Sequence, residues 1–388
     1  MDKVKIGIIG IGNMGSAHCQ TILAGNVPEL ELAAVADLRA SRRAWAQENL
    51  PGSVQIYEDG DSLIDAGCCD AVLAAVPHYD HPRLVIRALQ AGLHAMSEKP
   101  AGVYTSQVRE MNRVAAASDK VFALMFNQRT NPLYRKMKEL VESGKYGQIK
   151  RVNWIITDWY RSQAYYNSGG WRATWAGEGG GVLLNQCPHN LDLLQWICGL
   201  PVKVRAFCHN GKWHHIEVED DVTAYLEFAN GATGVFVTST ADAPGTNRFE
   251  ITLEQAKLVC EQGHLSVYEL EINEREYCFS TREGFQKPGG RYVEVELQGE
   301  NSQHAGVLRA FAANILRGEP LVARGEEGIR GLILSNAMHL SSWLDKTVEI
   351  PFDEDLFLKM LKERQSRSGK KEALPEVTFD TSASYGAT

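Results

Sequence analysis

Two hydrophobic periods and one glycine pattern predict an α/β chain. Up to Met125, short and almost wholly apolar runs alternate with helical stretches, the pattern of parallel strands covered by helices on both faces. Gly10-Ile-Gly12-Asn-Met-Gly15 sits where the first run turns into the first helix. Beyond Lys150, apolar residues recur at every second position, which predicts longer strands in a sheet with one buried face. The chain has 388 residues, enough for two or three domains with cores that need neither metal nor disulfide.

The predicted strands of the first part are Val4–Ile9, Leu32–Ala36, Ala71–Val76 and Val121–Met125. The predicted crossover helices are Met14–Leu23, Ser41–Glu48, His81–Gln90 and Ser106–Ser118, and handedness makes each crossover right-handed. Gly10 permits a tight turn, Gly12 lets a pyrophosphate approach the backbone, and Gly15 lets helix and strand pack closely. Asn13 and Met14 open the helix whose amide end would face the phosphates. Asp37 stands 22 residues after Gly15 at the end of the second strand, placed to accept hydrogen bonds from an adenosine ribose. That favours NAD. Arg39, Arg42 and Arg43 leave NADP open, or simply begin a solvated helix.

Two later strand ends also carry chemistry. Pro77-His78-Tyr79-Asp80-His81-Pro82 follows a strand and should lie over the carboxyl edge of the sheet, where ligands bind in such folds. Glu98-Lys99-Pro100 sets a cation beside an anion, either a substrate and cofactor clamp or a solvated edge.

In the second part, Val222, Ala224, Leu226 and Phe228 share one strand face, and Phe249, Ile251 and Leu253 share another. Gly179–Gly181 permit close backbone approach, to a cofactor or to a neighbouring strand. Pro188–Cys198 reads as a helix with Pro188 in its first turn, which places His189 at the amino end just after Asn185. Trp154, Trp159, Tyr160, Tyr165, Tyr166, Trp171 and Trp175 crowd one stretch, with Arg161 and Arg172 among them. Flat apolar rings with polar rims suit the C–H face of a sugar, and equally suit a core or a subunit seam. Further helices are expected from His304 to Leu316 and over Gly328–Leu344, and residues 364–388 read as a tail or arm.

The remaining composition narrows the class. A formal charge of -8 argues against a mainly electrostatic nucleic-acid binder. No apolar run approaches the roughly 18 residues of a membrane span, and the first residues lack a signal-peptide pattern. Eight Cys without a CxxC pair suggest free thiols and a cytoplasmic protein. The group Cys208, His209, His214, His215 and Glu217 fits no ordinary zinc spacing, so no metal is expected.

Taken in order, Gly10–Gly15, Asp37, Pro77 to His81, Glu98-Lys99-Pro100, Asn127-Gln128-Arg129, the run from Gly179 through Asn185 and His189 to Asp192, and Val348–Pro351 resemble the Gfo/Idh/MocA oxidoreductase family. The resemblance implies an N-terminal Rossmann dinucleotide-binding domain over residues 1–126. An α/β substrate and oligomerisation domain with a large, open, mainly antiparallel sheet would follow over 127–363. It implies NAD-dependent hydride transfer from a ring secondary alcohol of a small-molecule sugar or glycoside, with C3 as a candidate carbon. Lys99 would lie near the reacting hydroxyl and the nicotinamide ribose, and His189 would accept the proton. Pro77, His81, Glu98, Trp171 and Arg172 are expected at the cofactor, and Arg129, Trp159, Tyr160, Tyr166 and Asn185 at the substrate, with Asn185 also in the catalytic set beside Lys99 and His189. Many relatives carry Asp where this chain has Asn185, so a strict Lys-Asp-His set does not apply. The family also implies a homodimer or homotetramer. Two alternatives stay open: a glycoside-cleaving or eliminating enzyme that retains NAD and oxidises transiently, and a noncatalytic nucleotide or sugar sensor.

Overall fold

In the computed structural model, which describes residues 2–369, the first six strands form one parallel sheet. They are β1 (Val4–Ile9), β2 (Leu30–Ala36), β3 (Gln55–Tyr57), β4 (Ala71–Ala74), β5 (His94–Ser97) and β6 (Phe122–Leu124). Their order is β3-β2-β1-β4-β5-β6, so the winding reverses between β1 and β4. That switch point leaves a crevice beyond the carboxyl ends of the strands. Helices α1 (Asn13–Leu23), α2 (Ala40–Asn49), α3 (Gly60–Asp65), α4 (His81–Gln90) and α5 (Thr105–Ala116) make the crossovers. Ile6, Ile8, Ala71 and Leu73 are fully buried, as the apolar runs required. Strands β3 and β5 are absent from the sequence expectation because three or four residues of mixed polarity carry no period to read.

Helix α6 (Pro132–Glu142) leads into the second sheet. Its strands are β7 (Ile149–Ile156), β8 (Lys203–Asn210), β9 (Glu219–Glu227), β10 (Thr233–Ser239), β11 (Asn247–Leu253), β12 (Ala256–Glu261), β13 (His264–Leu270), β14 (Gly290–Val293) and β15 (Val348–Glu349). They run in the order β14-β13-β12-β11-β7-β10-β9-β8-β15, antiparallel except where β10 meets β7. Period two sorts the faces: Val152, Trp154, Val222, Leu226, Phe236 and Ile251 are fully buried, while Ile155, Phe207 and Tyr225 stay exposed. Trp154 is core, stacked on Phe249 with centroids 4.0 Å apart.

Short α7 (Gln163–Asn167) and then α8 (Pro188–Cys198) interrupt the strands; α9 (Glu274–Ser280), α10 (Gln303–Arg317), α11 (Gly328–Leu344) and α12 (Glu354–Ser366) follow. Helix α11 packs against β8 and α8 and covers the buried face. Helix α10 departs from the expectation that residues 127–363 build only the second domain. Val307, Leu308, Phe311 and Ala312 join the core around β1 and α1, because a strongly apolar helix face finds uncovered sheet there. The tail expected from residue 364 begins as the last turn of α12, and residues 370–388 lie outside the described residues. No helix among the described residues is long and apolar enough to cross a membrane.

Candidate active site

The glycine turn closes as its composition demands. Gly10 has φ +87°, and a Cβ on Gly15 would stand 1.9 Å from the Gly10 carbonyl oxygen. A Cβ on Gly12 would meet nothing nearer than Arg39 Nη2 at 3.9 Å, so that backbone is open to a ligand. Gly12 caps α1 and contributes no side-chain bond at its amino end, where a phosphate would meet the positive end of the helix. Asp37 accepts the Ile11 and Arg39 N–H groups, each at 2.9 Å, and its oxygens retain lone pairs for a ribose diol. Arg42 Nε is spent on the Ile11 carbonyl and Arg43 Nη1 on the Asp37 and Leu38 carbonyls. An open cradle with a carboxylate at its end fits NAD, which Gly10–Gly15 and Asp37 would hold.

At the junction of the two sheets, Lys99 Nζ donates to the Asn185 carbonyl oxygen at 2.7 Å. Burial pushes the Lys99 pKa down and Arg161 and Arg172 push it further, while Glu98 and Glu178 oppose them. His189 is 6 % exposed at the first turn of α8, its ring edge-on to Phe126, and its Nδ1 has no hydrogen-bond partner among the described residues. Burial, and then the nearby Lys99 charge, hold its pKa well below the usual imidazole range. The imidazole is therefore neutral near pH 7. The Lys99 charge thus acts on a neutral imidazole.

The glycine run behind them meets a strand. A Cβ on Gly181 would stand 1.9 Å from the Glu219 carbonyl oxygen, and Glu219 Oε1 accepts the Gly181 and Leu183 N–H groups at 2.9 and 3.0 Å. Of the two readings left open for Gly179–Gly181, close approach to a neighbouring strand is the one the geometry realises at Gly181.

Other expected site residues fall in different places. Pro77 is exposed on the loop before α4. His81 is 1 % exposed, with Nδ1 2.7 Å from the Pro100 carbonyl and Nε2 2.8 Å from that of Val76. It braces the Lys99 turn and presents no nitrogen to a cofactor. Glu98 is buried against His18 Nε2 at 2.7 Å; although burial pushes its pKa up, that bond and the charges of His18, His304 and Lys99 bring it down to about 2. Arg129 is not in the cleft: its Nε and Nη2 each meet Asp192 at 2.7 Å, and its Nη1 meets Glu327. Tyr166, 1 % exposed and bonded to Thr240 Oγ1, is likewise core. Arg129 was expected at the substrate from the family motif and Tyr166 from the aromatic stretch, but burial has taken their polar groups for internal pairs.

Trp159, Tyr160, Trp171 and Arg172 remain accessible to different degrees, with Tyr160 54 % exposed. Trp159 Nε1 reaches Asn190 Oδ1 at 3.3 Å. Arg172 lies over the Trp171 and Tyr165 rings and donates to the Tyr165 hydroxyl at 2.8 Å. His214 bridges Asp220 Oδ2 and the Arg161 carbonyl at 2.9 and 2.8 Å, a strut under the aromatic segment. Sequence reasoning missed Glu178, 1 % exposed, whose carboxylate accepts the Ala173 N–H at 2.6 Å and the Asn185 side-chain amide. Its only signal was a carboxylate directly before three glycines.

A glycine turn fit for a dinucleotide, and a buried histidine on which a lysine charge acts, mark a dinucleotide-dependent enzyme. Two family models match this chain: the oxidoreductase family NAD-binding Rossmann fold over residues 4–126 and the GFO/IDH/MocA C-terminal domain over residues 134–259. The chain belongs to the Gfo/Idh/MocA family of NAD-binding oxidoreductases. It is 25 % identical to the myo-inositol 2-dehydrogenase of Thermotoga maritima, over 89 % of this chain and 98 % of that one. It is 29 % identical to the D-glucoside 3-dehydrogenase of Escherichia coli, over 59 % of this chain and 68 % of the relative. The solved WlbA dehydrogenase of Bordetella pertussis, in complex with NADH and UDP-GlcNAcA, superposes with a TM-score of 0.75 at 24 % identity, covering 90 % of this chain and all of that one (100 %). That likeness is one of fold.

Proposed function

We propose that the chain is an NAD-dependent dehydrogenase that takes hydride from a ring secondary alcohol of a sugar or glycoside, with C3 the favoured carbon. The observation that carries the reading is Lys99, held on the Asn185 carbonyl just after β5, with its charge acting on the buried His189. The names of the inositol and glucoside dehydrogenases support a ring alcohol, and the second supports C3. NAD, when bound, supplies the hydride acceptor. Neutral His189 accepts the hydroxyl proton, because an imidazole far below its usual pKa is unprotonated at working pH. Lys99 spends one N–H on the Asn185 carbonyl, which leaves two to hold the substrate oxygen and stabilise its developing charge. Trp159 and Tyr160 offer rings for the C–H face of a pyranose. The exposed Ile155, Phe207 and Tyr225 on the outer face of the second sheet support docking of a second copy. The eight unpaired cysteines fit a reducing, cytoplasmic setting.

The test is incubation with a mixed panel of glycosides and inositols, followed by mass spectrometry of products and of bound cofactor. A ketosugar formed with stoichiometric NADH is the expected result. Products of C1–O cleavage without net NADH would replace this reading with internal recycling, and no conversion across the panel would remove it.

A further inference from the structure

We propose that Glu178 and Asn185 act together as the carboxylate that position 185 lacks, with Glu178 a positioning residue that sets the charge on Lys99 through Asn185. The catalytic consequence rests on the function proposed above. The charge assignment itself rests on geometry.

Three hydrogen bonds make a chain. Glu178 Oε2 accepts the Ala173 N–H at 2.6 Å and Oε1 accepts Asn185 Nδ2. The main-chain carbonyl of that same Asn185 receives Lys99 Nζ at 2.7 Å. The amide at 185 therefore points its donor at the buried Glu178 carboxyl group, while its backbone holds Lys99. A carboxylate 1 % exposed is costly unless cations stand close by. Burial and then Glu219 push the Glu178 pKa up, while Arg172, the Ala173 N–H and the Asn185 amide bring it down. Asn185 connects that carboxyl group to a second cation, Lys99.

The charged surroundings are nearly balanced. Facing Lys99 are Glu98 from its own strand end, and Arg161, Arg172 and Glu178 from the segment between β7 and α8. His189 on α8, His304 on α10 and His78 before α4 also feel its charge. Cys187 feels it as well. Glu219 faces Glu178 from β9. With two arginines opposing the ammonium, loss of one of two carboxylates should tip Lys99 toward its neutral form.

The hydrogen-bond pattern allows a charge swap. In Glu178→Gln the new carboxamide oxygen can keep the Ala173 N–H, and its NH2 can bond Asn185 once that amide turns over. In Glu178→Gln/Asn185→Asp the same NH2 donates to a carboxylate at 185, so every bond persists and only the charge moves. The probe is reductive methylation of Lys99 in cofactor-free protein as a function of pH, read by peptide mass spectrometry, with melting temperature as the folding control. Glu178→Gln should lower the pH midpoint of Lys99 reactivity by about one unit, and the double variant should return it to the wild-type value. Turnover should fall roughly tenfold in the single variant and recover to within about threefold in the double.

Coincident methylation profiles for wild type and Glu178→Gln would overturn the proposal. So would a natively folded double variant that keeps the profile of the single one. Shifted profiles in a protein that converts no sugar would refute the proposed reaction and leave the charge assignment standing.

Discussion

Replacing Arg129 by Met separates a buried clamp from a substrate ligand. The guanidinium makes two parallel bonds of 2.7 Å to Asp192 and a third to Glu327, with Arg129 3 % and Asp192 1 % exposed. Methionine matches the stem but strands the Asp192 carboxylate, with Gln195 Nε2 at 3.0 Å as its remaining donor. Removing one partner of such a pair costs about 3–5 kcal/mol. With an unfolding entropy near 2.1 cal/mol/K per residue over a chain of this length, that is a fall of roughly 4–6 °C in Tm. Scanning calorimetry reads the shift, and steady-state kinetics well below the transition should show sugar KM within about threefold of wild type. Arg129→Met/Asp192→Leu should regain most of the loss, since a buried pair replaced by apolar groups is often neutral. An unchanged Tm together with a large rise in KM would place Arg129 at the substrate after all and refute the reasoning.

Lys99→Met and His189→Gln should each cut kcat by about 10²–10⁴ while NADH affinity, followed by fluorescence titration, stays within about threefold; equal wild-type and variant rates would remove both roles. Gly15→Ala should abolish tight NADH binding, because its methyl would stand 1.9 Å from the Gly10 carbonyl oxygen, and a normal titration curve would refute the close-packed turn. Burial brings His304 down to about 4, so the folded state resists protonation that the unfolded chain accepts. Its contribution is present above an unfolded pKa near 6.5 and is lost as pH falls toward 4, at most about 3 kcal/mol. His304→Asn should flatten urea-denaturation stability across that interval, and an unaltered slope would dismiss the assignment.

Local chemistry was legible wherever a period or a turn imposes it. The apolar run Val4–Ile9, the glycine turn, and the helices Pro188–Cys198 and Gly328–Leu344 stand at the residues their patterns indicate. Each is written in side chains a few positions apart, and backbone geometry acts over that range. The shortest strands escaped because a period needs length to declare itself.

Which polar groups lie beside Lys99 was another matter. Arg129 and Glu178 are equally polar in the sequence, yet the first is spent on Asp192 from α8 and the second sits beneath Asn185. His81 looked like a ligand and became a brace, and α10 crossed back to the first sheet. The residues themselves determined strands, helices, the nucleotide turn and the apolar faces. Only tertiary packing decided which charges were consumed inside the protein and which were left beside Lys99, because a buried ion must find its partner in space, and distance along the chain does not encode that encounter.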